Sequence, residues 1–210
     1  MRRIAIYGAG GHAKSALEVC RDEGREVVAV IEDNTSQSTF CGFDVLSSIP
    51  DDFFQRGIEI HFAIGNNVQR KELVGRTLKA SDYGLLATLI HSSAVVSEMS
   101  IVRPGTLIMP NTYVGPGAEL GICSIVNTGS IVEHDSVIGD FASLGPGATL
   151  AGNVRVGDVT MIGMGASVLE KLSIGSMVIV GANSLVTRDI PENTLGYGVP
   201  FKSKGSLLLE

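Results

Sequence analysis

The sequence predicts two structural units: a small α/β domain with a Rossmann-like parallel sheet over residues 1–85, and an all-β parallel β-helix over residues 86–210. Two observations support this division. The first part alternates strand patterns with helix patterns, and the second part repeats an aliphatic residue every six positions. Strand–helix alternation is typical of a parallel sheet, whereas a fixed short repeat is typical of a solenoid.

In the first part, short apolar runs are followed by amphipathic segments. "RIAIY" is a buried strand, and the apolar spacing of residues 12–24 predicts a helix that Gly24 ends. Residues 26–33 and 58–67 read as two further strands. A short helix is expected at 49–57 and a longer one at 68–81. This order predicts a small parallel sheet covered by helices.

In the second part, every sixth residue from Ile90 to Val186 is Ile, Val or Leu, without a single insertion. One such side chain per short strand would point inward, small residues would fill the corners, and the frequent glycines would permit tight turns. Three hexads would form one triangular coil, so residues eighteen apart would lie one above another. Six-residue repeats of this kind predict a β-helix.

Composition narrows the possible partners. The chain has 210 residues with 22 acidic against 16 basic side chains and a net charge of −6, which argues against nucleic acid as a partner. No apolar stretch approaches the roughly 18 residues of a membrane span. The three cysteines share no metal-ligand spacing, which favours free thiols, a cytoplasmic protein and no metal site.

A glycine loop follows the first strand. In "GAGGHA", the residues Gly8, Gly10 and Ala13 satisfy the G-x-G-x-x-A fingerprint between a strand and a helix. A helix N-terminus favours phosphate, so a diphosphate is expected at Gly10, Gly11 and His12. The fingerprint alone would also suit an NAD-linked enzyme, although the domain is too short for a complete two-half Rossmann fold.

Residues after the next two strands are expected at the same edge of the sheet. Glu32 and Asp33 follow the second strand, where a carboxylate can accept hydrogen bonds from a ribose or a nucleobase. Gly65 and Asn66 follow the third strand and would border the same crevice. The sequence therefore predicts a nucleotide site at this edge.

The hexad array combined with this loop resembles the left-handed β-helix bacterial sugar acetyltransferases. This family includes sialic acid O-acetyltransferases and N-acetyltransferases that act on UDP- or dTDP-linked 4-amino-sugars. The resemblance covers the whole chain and rests on "GAGGHAK", "IEDN", "AIGNN", "VNTGSIVEHD", "AGNVRVGD" and "GVPFK". It implies a left-handed coil, a homotrimer with sites between subunits, acetyl-CoA along the prism and a sugar nucleotide on the N-terminal domain.

By the same resemblance, His134 is the catalytic base and Asp135 the acid that orients it. Imidazole titrates near neutrality and can accept a proton from an attacking amine or hydroxyl. Neighbouring residues of a strand normally face opposite ways, so Asp135 needs a corner geometry, and Glu133 is the alternative. Ser143 stands where the bacillosamine-type enzyme has a second histidine, so the resemblance does not fix the sugar.

Further residues are expected around His134. Asn127 would line the same cleft, or would simply be a turn asparagine. Gly152 lies one coil above His134, where its N–H could polarise the thioester carbonyl of acetyl-CoA. Lys171 and Lys202, together with Arg188 and Lys204, could approach the phosphates of CoA, or could be solvated surface residues.

These features predict an acetyl-CoA-dependent N-acetyltransferase that modifies the amino group of a nucleotide-linked amino-sugar in surface glycan biosynthesis. O-acetylation of sialic acid or a related sugar is the alternative with the same machinery. A non-catalytic β-helix scaffold that binds sugar nucleotides is the alternative of another class.

Overall fold

The computed structural model describes residues 2–33 and 35–207, so Asn34 of the "IEDN" motif lies outside it. The N-terminal part contains a five-stranded sheet in the order β3-β4-β2-β1-β5. Its pairs are parallel apart from the β3–β4 hairpin. The elements are β1 Arg3–Tyr7, α1 Gly11–Asp22, β2 Glu26–Ile31, β3 Thr39–Phe40, β4 Phe43–Leu46, β5 Glu59–Phe62 and α2 Asn67–Thr77.

One local prediction was wrong, and one element was not predicted. The short helix expected at 49–57 is a series of turns, in which the N–H of Arg56 donates to the carbonyl of Asp52 and Gly57, with a φ of 68°, ends the segment. The β3–β4 hairpin was not predicted, since its two strands are only two and four residues long. Its turn residues, Cys41 and Gly42, both have positive φ, as a type I′ hairpin turn requires.

A 3-10 helix, Ala80–Leu85, leads into a continuous run of two-residue strands. These are β6 Leu89–Ile90, β7 Val95–Val96, β8 Ile101–Val102, β9 Leu107–Ile108, β10 Tyr113–Val114, β11 Glu119–Leu120, β12 Ile125–Val126, β13 Ile131–Val132, β14 Val137–Ile138, β15 Ser143–Leu144, β16 Thr149–Leu150, β17 Arg155–Val156, β18 Met161–Ile162, β19 Ser167–Val168, β20 Ser173–Ile174, β21 Ile179–Val180 and β22 Leu185–Val186. Two longer strands, β23 Thr194–Tyr197 and β24 Lys202–Ser206, end the chain's regular structure.

From β6 to β22 every third strand pairs in parallel, which produces a prism with three faces. At its end β23 pairs in parallel with β21, and β24 pairs antiparallel with β23. The first face contains β6, β9, β12, β15, β18, β21, β23 and β24; the second contains β7, β10, β13, β16, β19 and β22; the third contains β8, β11, β14, β17 and β20. Paired residues such as Tyr113 and Ile131 are one coil apart. We call the corner after the first face the first corner, that after the second face the second corner, and that after the third face the third corner.

The aliphatic hexad residues form the core of the prism. They all belong to one cluster, in which Ile90, Val96 and Val102 of the first coil are only partly buried because no further coil lies below them. Repeated stacking of one aliphatic side chain per strand is the interaction that makes a solenoid stable. No helix in the described part of the chain is long and apolar enough to cross a membrane.

The N-terminal domain packs on the outside of the first face. Leu89 and Leu107 point outward from that face and are buried against β1 and α1. Arg70 of α2 reaches the third corner, where its guanidinium donates to the carbonyls of Cys123 and Phe141. In a triangular coil the second corner lies opposite the first face, so it is the corner farthest from the N-terminal domain.

Candidate active site

His134 and Asp135 lie at the second corner, between β13 and β14, with half-exposed side chains. Asp135 has a φ of 59°, and this left-handed turn brings two successive side chains to the same side. Nδ1 of His134 is 2.9 Å from Oδ2 of Asp135. Because an ionised carboxylate can only accept, Nδ1 is the donor in this contact, and in the neutral imidazole Nε2 then carries the lone pair. This is the corner geometry that the sequence argument required.

Glu133, the alternative orienting residue, occupies a different environment. It is half-buried, and its N–H donates to the carbonyl of Leu150 in the coil above. Within the described residues its carboxylate makes no hydrogen bond with His134. The geometry therefore favours Asp135.

Gly152 lies directly over the imidazole. A Cβ placed on Gly152 would be 2.5 Å from Nε2 of His134, so the ring packs against the bare backbone of this glycine. The carbonyl of Gly152 accepts a hydrogen bond from the N–H of Lys171, whereas its own N–H has no acceptor among the described residues. A free backbone donor thus lies in the coil next to the free lone pair of His134.

Basic side chains lie towards the C-terminal end of the prism. Lys171 is exposed at the position one coil above Asn153. Arg188 and Lys202 line a cavity of about 430 Å³ together with Phe201 and Pro200, at the end of the prism where the coils finish. Lys204 lies 5.1 Å from the centre of the Tyr197 ring. Lys171, Arg188 and Lys202 therefore lie towards the C-terminal end of the prism from His134.

Asn127 is not close to His134 within one chain. It lies at the first corner, after β12, and its Oδ1 accepts from the N–H of Thr128. Ser143 is buried on the first face, where β15 pairs with its neighbours under the N-terminal domain. The second face therefore separates Asn127 from His134, and Ser143 lies on the first face, opposite the corner of His134.

The glycine loop forms an open cradle at the N-terminus of α1. Gly10 is the N-cap residue without a side-chain cap, and a Cβ on Gly10 or Gly11 would meet no described atom within 4 Å. Gly8 has a φ of 117° and approaches the end of β5, where its Cβ would be 2.9 Å from the carbonyl oxygen of Ala63. The loop is therefore fixed at its base and open at its tip.

Glu32 and Asp33 adjoin this loop, but both already have protein partners. Oε2 of Glu32 accepts from the N–H of Ala9 at 2.7 Å, so this carboxylate holds the glycine loop. Asp33 accepts from the hydroxyl of Tyr7 and from the guanidinium of Arg76. Burial, followed by the hydrogen bond to Asp33, raises the pKa of Tyr7 to about 12. Glu32, Asp33, Tyr7 and Arg76 all line one cavity of about 310 Å³.

The remaining predicted residues also lie at this edge. Asn66 caps α2 by accepting from the N–H of Gln69, and the Cβ position of Gly65 is 3.9 Å from the ring of His12. His12 turns inward, so that Nε2 is inaccessible, and burial lowers its pKa to about 4. His12 is thus neutral and contributes a backbone N–H rather than a charged ring to the cradle.

Three residues of this region were not anticipated. Arg70 is 1% exposed and is surrounded by carbonyl oxygens; Tyr7 and Arg76 flank Asp33. The sequence of a polar helix such as α2 gives no signal that one of its arginines is buried. Only the position of Tyr7 at the end of a strand could have indicated its proximity to the crevice.

The fold and the corner histidine define a class of protein, the β-helix acyltransferases with an α/β domain in front. Residues 3–77 match the family model described as PglD N-terminal domain. The chain is 36% identical to a structure of a histidine-to-alanine mutant of GDP-perosamine N-acetyltransferase from Caulobacter crescentus in complex with CoA and GDP-perosamine, over 97% of each chain with a TM-score of 0.87. It is 31% identical to the acetyltransferase domain of PglB from Neisseria gonorrhoeae in complex with acetyl-CoA, over 97% of this chain and 99% of that one with a TM-score of 0.86.

A curated relative, UDP-N-acetylbacillosamine N-acetyltransferase of Bacillus subtilis, is 35% identical over 118 residues, which is half of each chain. The chain belongs to the hexapeptide-repeat family of bacterial sugar acetyltransferases. Membership confirms the predicted fold class, an α/β domain followed by a left-handed parallel β-helix.

Proposed function

We propose that this protein transfers the acetyl group of acetyl-CoA to the amino group of a nucleotide-linked amino-sugar, for surface glycan synthesis in the cytoplasm. The observation that carries the proposal is the orientation of His134, whose Nδ1 is held by Asp135 while Nε2 faces the coil of Gly152. The relatives that bind CoA, acetyl-CoA or GDP-perosamine, and the one named for bacillosamine acetylation, support the choice of substrates.

In the proposed mechanism, the sugar amine attacks the thioester carbonyl carbon directly. Nε2 of His134 accepts the proton that the attacking nitrogen loses. The N–H of Gly152 donates to the oxyanion that develops on the carbonyl oxygen. The intermediate then collapses, the C–S bond breaks, and the CoA thiolate takes the proton back from His134. The steps use neither a metal nor an acyl-enzyme.

The active site is proposed to form between subunits of a homotrimer. The nucleotide cradle belongs to the domain on the first face, while His134 lies at the opposite corner of the same prism. The nucleotide cradle and His134 of one chain therefore face in opposite directions. A sugar nucleotide bound to one subunit can meet a His134 only if a neighbouring prism supplies it, and cyclic symmetry repeats this contact.

The sites for the two substrates follow from the same geometry. Gly10 and Gly11 leave room for a diphosphate at the N-terminus of α1, and the cavity beside Glu32 and Asp33 is open to the nucleoside. Acetyl-CoA would run along the second corner, with its thioester near Gly152 and its phosphates near Lys171, Arg188 and Lys202. Asn127 would line the cleft from the first corner of another subunit.

A substrate panel tests the proposal. GDP-, UDP- and dTDP-linked amino-sugars and free sialic acid are each incubated with acetyl-CoA, and CoA release and the acetylated product are measured. We expect turnover of at least one sugar nucleotide. Turnover of sialic acid alone would show an O-acetyltransferase, and binding of sugar nucleotides without any turnover would show a scaffold.

A further inference from the structure

The second corner contains a column of residues in the left-handed backbone conformation. Gly117, Asp135, Asn153 and Lys171 follow at one-coil intervals, with φ of 72°, 59°, 60° and 62°. Three of the four are not glycine, so this corner accepts a side chain in that conformation. The glycine at position 117 therefore has a reason other than its backbone angle.

That reason is the carboxylate above it. A Cβ on Gly117 would lie 2.6 Å from Oδ1 of Asp135, which is closer than these non-bonded atoms can approach. The N–H of Asp135 is fixed by the carbonyl of Pro116, so the backbone cannot easily move away. With any side chain at position 117, the carboxylate of Asp135 would have to rotate.

Rotation of the carboxylate would break the contact with His134. Oδ1 of Asp135 lies over Gly117, while Oδ2 accepts from Nδ1 of His134. The two oxygens are rigidly linked, so displacement of one moves the other. Gly152 acts in the same way on the other side, where only a glycine leaves space for the imidazole.

We propose that Gly117 is a positioning residue for the acetyl transfer. Because Gly117 has no side chain, it leaves space for the Asp135 carboxylate in the orientation that keeps the proton on Nδ1 of His134 and the lone pair on Nε2. The inference rests on the proposed role of His134 as the base. It adds a residue one coil below the site, which touches no substrate and acts only through Asp135.

The test compares Gly117→Ala with Gly24→Ala. Gly24 has a φ of 65° and an open Cβ position at the end of α1, so it reproduces the backbone strain without a carboxylate. We expect kcat to fall about 10–100-fold in Gly117→Ala, as for other displacements of about an ångström, with unchanged KM for both substrates. Gly24→Ala should retain wild-type kcat. Gly117→Asn, a residue type that position 153 tolerates, provides a second variant if the first folds poorly.

A spectroscopic measurement separates this inference from the proposed function. Imidazole ¹⁵N chemical shifts, assigned with His134→Ala, report which nitrogen carries the proton. We expect one tautomer in the wild type and Gly24→Ala, and a mixture in Gly117→Ala and Asp135→Asn. On the Asp135→Asn background, Gly117→Ala should cause no further loss of kcat. An unchanged tautomer in Gly117→Ala would overturn the inference, whereas a changed tautomer with full activity would instead overturn the role of His134.

Discussion

Oδ2 of Asp135 lies 2.9 Å from Nδ1 of His134, although the two residues are neighbours in a chain of short strands. The left-handed backbone at Asp135 makes this contact possible. Both side chains remain about half exposed, so the pair is accessible from solvent and contributes little to the aliphatic core. We therefore expect substitutions of this pair to change catalysis rather than the free energy of unfolding.

His134→Ala tests this directly. Loss of a general base lowers kcat by about 10²–10⁴-fold, while acetyl-CoA affinity and the trimer should persist. His91→Ala, at a corner of the first coil, is the control and should leave kcat unchanged. Equal activity of the two variants would contradict the mechanism.

Asp135→Asn is expected to lower kcat by about ten-fold or more, because an amide no longer enforces the required imidazole tautomer. The loss should be smaller than that in His134→Ala, since the base itself remains. Glu133→Gln is the matched control, and the kcat values of the two variants are compared by steady-state kinetics with both substrates. A larger effect in Glu133→Gln would assign the orienting role to that residue.

Gly152→Ala examines the space above the imidazole. Gly152 is outside the left-handed region, so alanine adds no backbone strain, but its Cβ would be 2.5 Å from Nε2 of His134. We expect a lower melting temperature and a large loss of kcat. In the double variant with His134→Ala, the melting temperature should return to that of His134→Ala, because the colliding ring is gone. A lower melting temperature in the double variant than in His134→Ala would mean that the turn, and not the imidazole, requires glycine at this position.

The hexad pattern made the β-helix predictable, because the buried aliphatic position recurs every six residues without interruption. The sequence could predict the His134–Asp135 contact only on the condition that the two residues lie at a corner. It could not predict the left-handed turn at Asp135, because no glycine marks it. Arg70 could not be predicted at all. Its acceptors at Cys123 and Phe141 are 53 and 71 residues away, and a lone arginine in a polar helix resembles a solvated one.

The sequence predicted that the loops after β1, β2 and β5 would lie together, but it did not predict their contacts. The loops after β1, β2 and β5 meet because carboxyl ends of parallel strands share one edge. The sequence could not show that Glu32 is engaged by Ala9 or that Asp33 lies between Tyr7 and Arg76. These contacts depend on side-chain directions that a pattern of strands leaves open.

Two buried histidines should make the fold sensitive to acid. Burial lowers the pKa of both His12 and His61 to about 4, from the ordinary 6.5. Below pH 6.5 these histidines bind protons in the unfolded chain but not in the folded chain. The free energy of unfolding therefore decreases as the pH falls toward 4. Each histidine accounts for about 3 kcal/mol over that range. The free energy of unfolding, measured by urea denaturation at several pH values, should change less steeply with pH in His61→Gln than in the wild type. An equal dependence on pH in the two proteins would contradict this assignment.

Subunit mixing tests the shared active site. Gly10→Val fills the open phosphate cradle without strain, because its Cβ meets no described atom, and His134→Ala removes the base. Each variant alone should be inactive. In trimers reassembled from equal amounts of both, about one site in four would combine an intact cradle from one subunit with an intact His134 from its neighbour. CoA release should therefore recover to about that fraction of the wild-type rate. A site built within one chain would remain inactive in every mixture, and light scattering of the mixture confirms that trimers have formed.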